Sequence, residues 1–149
     1  MEKRGILVTF MLAFILFFTV FLFECRRSDA SEVKIVRLYI LTNDGSKEVY
    51  IEPDTLWITE GTIVVWVNQG PAEEVKVVFE DGTNCQKLTD AGTAYSLKDG
   101  CYVTTWIPLG GTTSLRFNES GDLIYTVEST SGIKGKAKII VHTPGVFKK

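Results

Sequence analysis

Between Val33 and His142 the sequence breaks into short runs of β-branched and aromatic residues, each stopped by a turn signal. That punctuation constrains the fold more than any other feature. Val33–Leu41 ends at Asn43-Asp44-Gly45, a strong hairpin signal. Glu48–Ile51 is stopped by Pro53, and Leu56-Trp57-Ile58 by Glu60-Gly61. Thr62–Val67 is apolar on both faces, as a covered central strand would be. Val75–Phe79, Tyr102–Ile107, Thr113–Phe117, Leu123–Val127 and Lys138–His142 follow, separated by Asp81-Gly82, Gly110-Gly111, Glu119-Ser120-Gly121 and Gly132–Gly135. No window carries a capped 3.6-residue periodicity. Short strands at this spacing predict an all-β sandwich or small barrel over residues 31–143. Thr83–Gly100 reads as a less regular stretch, and 144–149 as a flexible tail.

The 149 residues suffice for one such domain. Ahead of it, Gly5–Phe23 is a run of 19 uncharged positions after the basic Lys3-Arg4. As a helix that run spans about 28 Å, close to the thickness of a bilayer core. Residues 1–30 are therefore expected to be a hydrophobic helix with a short linker, a signal peptide or membrane anchor that places the domain on the outer, periplasmic or extracellular side. Retention as an anchor is preferred on length. Cleavage before Ser31, after Ser28-Asp29-Ala30, is the second reading. Lipidation of Cys25 is the third, because a lipoprotein signal wants a small residue where Glu24 stands.

Past Ala30 the chain carries 12 Lys/Arg against 15 Asp/Glu, a net charge of −3. Such a domain lacks the basic face that nucleic-acid binding requires. Its modest charge and abundant aromatic residues exclude intrinsic disorder. His142 is the one histidine in the sequence, which removes every site that needs two imidazoles. No Ser/His/Asp set or phosphate-cradling glycine loop is present, so no enzyme activity is expected. In an exported chain Cys85 and Cys101 read as a disulfide across 15 intervening residues, worth about 3 kcal/mol as a loop closure. Acidic pairs such as Glu73-Glu74 lack a calcium-loop pattern and read as solvated turns.

The order of the segments resembles the cupredoxins, the plastocyanin and azurin type of Greek-key sandwich. The residues that carry it are the proline-led strand Pro53–Thr62, the strand Val64-Val65-Trp66-Val67-Asn68 ending in asparagine, Gly111–Phe117, Gly121–Tyr125, and Gly132-Ile133-Lys134-Gly135 before a last strand. In copper-binding members a histidine follows the asparagine strand. Here that place holds Glu73 or Glu74. The family's cysteine corresponds to Val127, its second histidine to Thr130 and its axial methionine to Ile133, across a connection that is also shorter. A blue-copper centre needs two imidazoles and a thiolate, so no copper is expected at these positions. Val127 and Ile133 imply an apolar filling of the former metal end. The resulting expectation is a membrane-anchored, cofactor-free binding or assembly module with a protein partner. Its candidate contact surfaces are the Cys85–Cys101 loop and the altered copper end. The alternative is an electron-transfer or copper-handling protein with unconventional ligands drawn from Cys85, Cys101, His142 and carboxylates.

Overall fold

A computed structural model describes residues 31–70, 73–79, 89–91, 95–98 and 101–145. The N-terminal run, Cys25 and the tail beyond Gly145 lie outside these residues, so the anchor, cleavage and lipidation readings are not addressed by the structure. Among the described residues no helix is long and apolar enough to cross a membrane.

Among the described residues, eleven strands form two sheets. They are β1 (Val33–Asn43), β2 (Ser46–Glu52), β3 (Thr55–Thr59), β4 (Ile63–Asn68), β5 (Val75–Phe79), β6 (Thr89–Ala91), β7 (Tyr95–Lys98), β8 (Cys101–Thr104), β9 (Thr112–Phe117), β10 (Gly121–Ser129) and β11 (Lys134–His142). One sheet runs β2-β1-β4-β9-β6 and the other β3-β11-β10-β5-β8-β7. The two parallel pairs, β1 with β4 and β3 with β11, require the chain to leave a sheet and return to it. Pro53 and Asp54 make one such crossing: β2 lies in the first sheet and β3, two residues later, in the second. Proline suits that corner because it cannot donate to a continuing ladder.

The stretch expected to be irregular contains two short strands. At three and four residues, β6 and β7 are too brief to leave a periodic signature. β4 is central in its sheet, as its apolar composition implies, but only one of its faces is closed. Val64, Trp66 and Asn68 are fully buried, whereas Ile63, Val65 and Val67 remain half-buried on the outer face.

The core is built from the inward residues of both sheets, with Trp66, Tyr125, Phe79 and Phe117 its largest fully buried members. Trp66 meets Phe79 and Tyr125 edge-on, at centroid distances of 5.8 and 5.7 Å. Edge-to-face contacts of this kind bring the positive edge of one ring to the negative face of another. They join β4 of one sheet to β5 and β10 of the other. The Trp66 indole nitrogen and the Tyr125 hydroxyl are buried in the cluster, and neither meets hydrogen-bond geometry among the described residues. Burial pushes the Tyr125 phenol up to about 12, partly offset by the neighbouring Trp66.

The sandwich has two distinct ends. At the entry end, Ile63 N donates to Glu32 O, Gly61 N to Phe117 O, and Glu60 N to His142 O. At the opposite end, Asn68 N donates to Gly111 O, Val75 N to Ile107 O, and Thr130 N to Glu74 O. The eight residue steps of β11 from Lys134 to His142 put the two ends about 26 Å apart.

The aromatic cluster makes a paired prediction. Trp66→Ala should cost about 3–5 kcal/mol in denaturant unfolding, because it removes the central ring between the sheets. Tyr125→Phe keeps the ring and deletes an unpartnered hydroxyl, so it should leave stability unchanged or raise it slightly. A Tyr125→Phe loss as large as that of Trp66→Ala would show that the hydroxyl has a partner.

Candidate functional site

The positions that the resemblance would assign to copper ligands lie at the opposite end of the sandwich, and a buried amide organises that end. Asn68 closes β4 with its side chain fully buried. Its Nδ2 donates to Glu73 O at 2.9 Å and to Ile107 O at 3.0 Å, and its Oδ1 accepts from Gly70 N at 3.1 Å. Its backbone binds the Gly110-Gly111 turn in both directions, N to Gly111 O and O from Gly110 N. One side chain thus joins the segment after β4 to the segment before β9. Each of these polar groups would be costly to leave unpaired at this depth.

Glu73, placed by that bond to its carbonyl, turns its carboxylate toward β2 and the β10–β11 turn. Oε1 pairs with Lys47 Nζ, and Oε2 accepts from Ser131 Oγ at 2.6 Å. Ser131 in turn lies 2.9 Å from the hydroxyl of the buried Ser129. The Lys47 ammonium first, and the hydroxyls of Ser131 and Ser129 with it, hold the Glu73 carboxyl at about 2, well below its ordinary 4.5. A carboxylate so satisfied is a weak base and an engaged donor set. The sequence reading of Glu73 as a solvated turn residue is therefore corrected: Glu74 is exposed, whereas Glu73 is the hub of a charge-assisted network.

The β10–β11 turn is tight. Ser129 N donates to Ile133 O and Gly132 N to Ser129 O, both at 2.9 Å, with Gly132 at φ +83°, the left-handed region that glycine adopts freely. Ile133 N also reaches Ser129 Oγ at 3.3 Å. Just beyond the turn, a Cβ on Gly135 would sit 2.9 Å from Val49 O, so β2 and β11 approach closely only because position 135 has no side chain. Val127 is fully buried, paired with Val77 and Gly135. Thr130 is exposed and Ile133 half-buried.

The apolar filling expected from Val127 and Ile133 is thus half right. Val127 belongs to the core, but the rim beside Ile133 is polar, closed by Lys47, Glu73, Ser129 and Ser131. Lys47 escaped sequence reasoning because it lies 26 residues from Glu73 and no motif links them. Nothing distinguishes Ser129 and Ser131 in sequence from ordinary turn serines.

The donor set does not fit a type 1 copper ion. Val127 and Ile133 offer no lone pair, Thr130 offers only a hydroxyl, and both oxygens of Glu73 are occupied. Among the described residues no three His, Cys, Asp or Glu side chains group as a metal site. Cys85 lies outside the described residues. Cys101 opens β8, with its side chain outside them, so the disulfide reading is not addressed. His142 stands at the entry end, stacked on Trp57 with ring centroids 5.0 Å apart and planes 7° from parallel. It is far from the former copper positions.

Apolar side chains surround the polar rim. Leu109 is 58% exposed and Trp106 41%, and Lys76 Nζ lies 4.9 Å from the Trp106 ring centre. Lys76 and Lys134 flank Glu128 at 2.6 and 2.7 Å; Lys134 first, then Lys76, hold its carboxyl below the usual range. This end therefore presents a mixture of an aromatic ring, an aliphatic tip and paired charges.

The Glu73 network links pH to stability. A carboxyl whose folded-state pKa lies below its unfolded value stabilises the fold above that unfolded value and loses the effect as pH falls toward the folded one. Stability should therefore decline between about pH 4.5 and pH 2. Glu73→Gln should remove part of that decline when denaturant midpoints are compared across the range. A slope identical to that of the unaltered protein would mean that Glu73 is not held by Lys47 and Ser131.

No protein-family model matches the chain, and no curated protein does. Solved structures similar to it are those of amicyanin, a cupredoxin. A Cu(I) form of a methionine-to-glutamine mutant of amicyanin is 20% identical, over 74% of this chain and 82% of that one, at a TM-score of 0.46. A reduced tryptophan-to-tyrosine mutant is 18% identical, over 78% and 87%, also at 0.46.

Proposed function

We propose that this chain is an exported, membrane-anchored, cupredoxin-like domain that acts as a binding or assembly module, without catalytic activity and without a resident cofactor. The observation that carries this reading is the engagement of Glu73 by Lys47 and Ser131 at the end where the resemblance would put a metal. There the chemistry of coordination is replaced by a closed hydrogen-bond network. The apolar run Gly5–Phe23 supports the anchor.

The rigid surface around Leu109, Trp106 and Thr130 is the partner-facing side in this reading. A preorganised surface loses little conformational entropy on association, and an exposed indole is a common anchor of interface energy. The segment between Cys85 and Cys101 is the second candidate contact.

The reading is tested with the full chain in the membranes of the cell that makes it. A photo-crosslinking amino acid is placed at Leu109, at Thr130, or at Ser114 on the outer face of the first sheet. Leu109 and Thr130 should give the same discrete adduct and Ser114 none. Absence of an adduct at both, or equal adducts at all three positions, would overturn the assignment of this end as the contact surface.

A further inference from the structure

The entry end carries an aromatic and aliphatic surface that the binding reading does not use. Trp57 is 60% exposed, and one face of its indole is stacked on His142. An open cleft runs beside the pair, lined chiefly by apolar surface, with Trp57, Ile58, Thr59, His142 and Thr143 on one side and the start of β1 on the other. Across the cleft Lys34 pairs with Glu32 at 2.6 Å, so these two charges cancel. Val33 and Ile35, 55% and 51% exposed, alternate with them on the other side of β1. The exposed indole and the apolar wall of the cleft form one patch at this end, and Val33 and Ile35 add apolar surface on the opposite face of β1.

The chain's own connectivity says what lies next to this surface. Ser31 is held to the domain, its Oγ accepting from Arg116 Nη2 at 3.0 Å, and Glu32 O accepts from Ile63 N at 2.8 Å. Between that fixed point and the last residue of the apolar run, Phe23, stand only the seven residues 24–30. Fully extended, the eight steps from Phe23 to Ser31 span about 26–29 Å, close to the domain's own length from end to end. The entry end, where Ser31 is fixed, is the part of the domain that follows that run in the chain.

We infer that the entry end rests on the lipid bilayer, with Trp57 and His142, Val33 and Ile35 seated in the headgroup layer and the opposite end turned away from the membrane. The inference rests on the membrane-anchor reading given above. Tryptophan suits such a layer because its ring is apolar and its N–H can remain solvated. Glu60 and Glu119 stand at the same end, which fits a zwitterionic lipid surface better than an anionic one. This orientation leaves the end around Leu109 and Trp106 facing outward.

The test exploits the placement of the three tryptophans: Trp57 at the entry end, Trp66 in the core and Trp106 at the far end. The full chain is reconstituted into phosphatidylcholine vesicles whose acyl chains carry bromine near the headgroup, and flotation on a density gradient establishes whether it is membrane-bound. Emission is then compared for Trp57→Phe and Trp106→Phe, with the blue-shifted signal of Trp66 reporting that each variant is folded. Trp106→Phe retains one interfacial and one core indole, so its emission should fall by about half in brominated vesicles. Trp57→Phe should be nearly unaffected. A chain that floats but shows equal quenching in the two variants, or none in either, would overturn the orientation while leaving the anchor intact and would assign the entry end to solvent or a protein. A chain that does not float would overturn the anchor reading, and the orientation with it.

Discussion

Much of what is distinctive in this molecule depends on the buried amide of Asn68. A side chain with two donors and one acceptor in use, placed at the end of a central strand, fixes the backbone of two segments that are not adjacent in sequence. Once the Glu73 carbonyl is held, its carboxylate is delivered to Lys47 and Ser131. Once the Ile107 carbonyl is held, the backbone that carries Trp106 and Leu109 is placed at this end. The surface of this end is thus set by hydrogen bonds beneath it, and its rigidity follows from how few unpaired groups the arrangement leaves.

The same end shows how the architecture of this β-sandwich is held independently of the side chains at its rim. The sheets are joined by Trp66, Phe79 and Tyr125, well below the rim, and by the close approach of Val49 to Gly135. Neither feature needs an ion. The rim is built separately, as a carboxylate shared between an ammonium and a hydroxyl of the β10–β11 turn. Fold and site are separable in this way, so the resemblance informs the architecture and the local side chains decide the chemistry.

Most of the strand pattern was legible in the sequence because turn dipeptides and β-branched runs are local signals. Asn43-Asp44-Gly45 marks a real hairpin, with Asp44 and Gly45 both at positive φ. β6 and β7 were not legible, since a strand of three or four residues is stabilised by its neighbours in the sheet rather than by its own composition. The Lys47–Glu73 pair was invisible for a different reason: it is a contact between two elements brought together only by folding, and the sequence around each residue looks like an ordinary polar turn. The stacking of Trp57 on His142 belongs to the same class, because it depends on β3 lying parallel to β11.

In the proposed reading a hydrogen-bonded rim stands where the resemblance would put a metal, and bound copper is the direct test of that reading. The full chain would be produced with its N-terminal segment in a copper-supplemented, oxidising compartment. Copper would be measured by elemental analysis on the same sample in which free thiols are titrated in denaturant. Negligible copper per chain is expected, with Cys85 and Cys101 unavailable to the thiol reagent. Copper near one per chain, with both of these thiols free, would contradict it and would make the protein a carrier of copper through ligands other than those its resemblance implies.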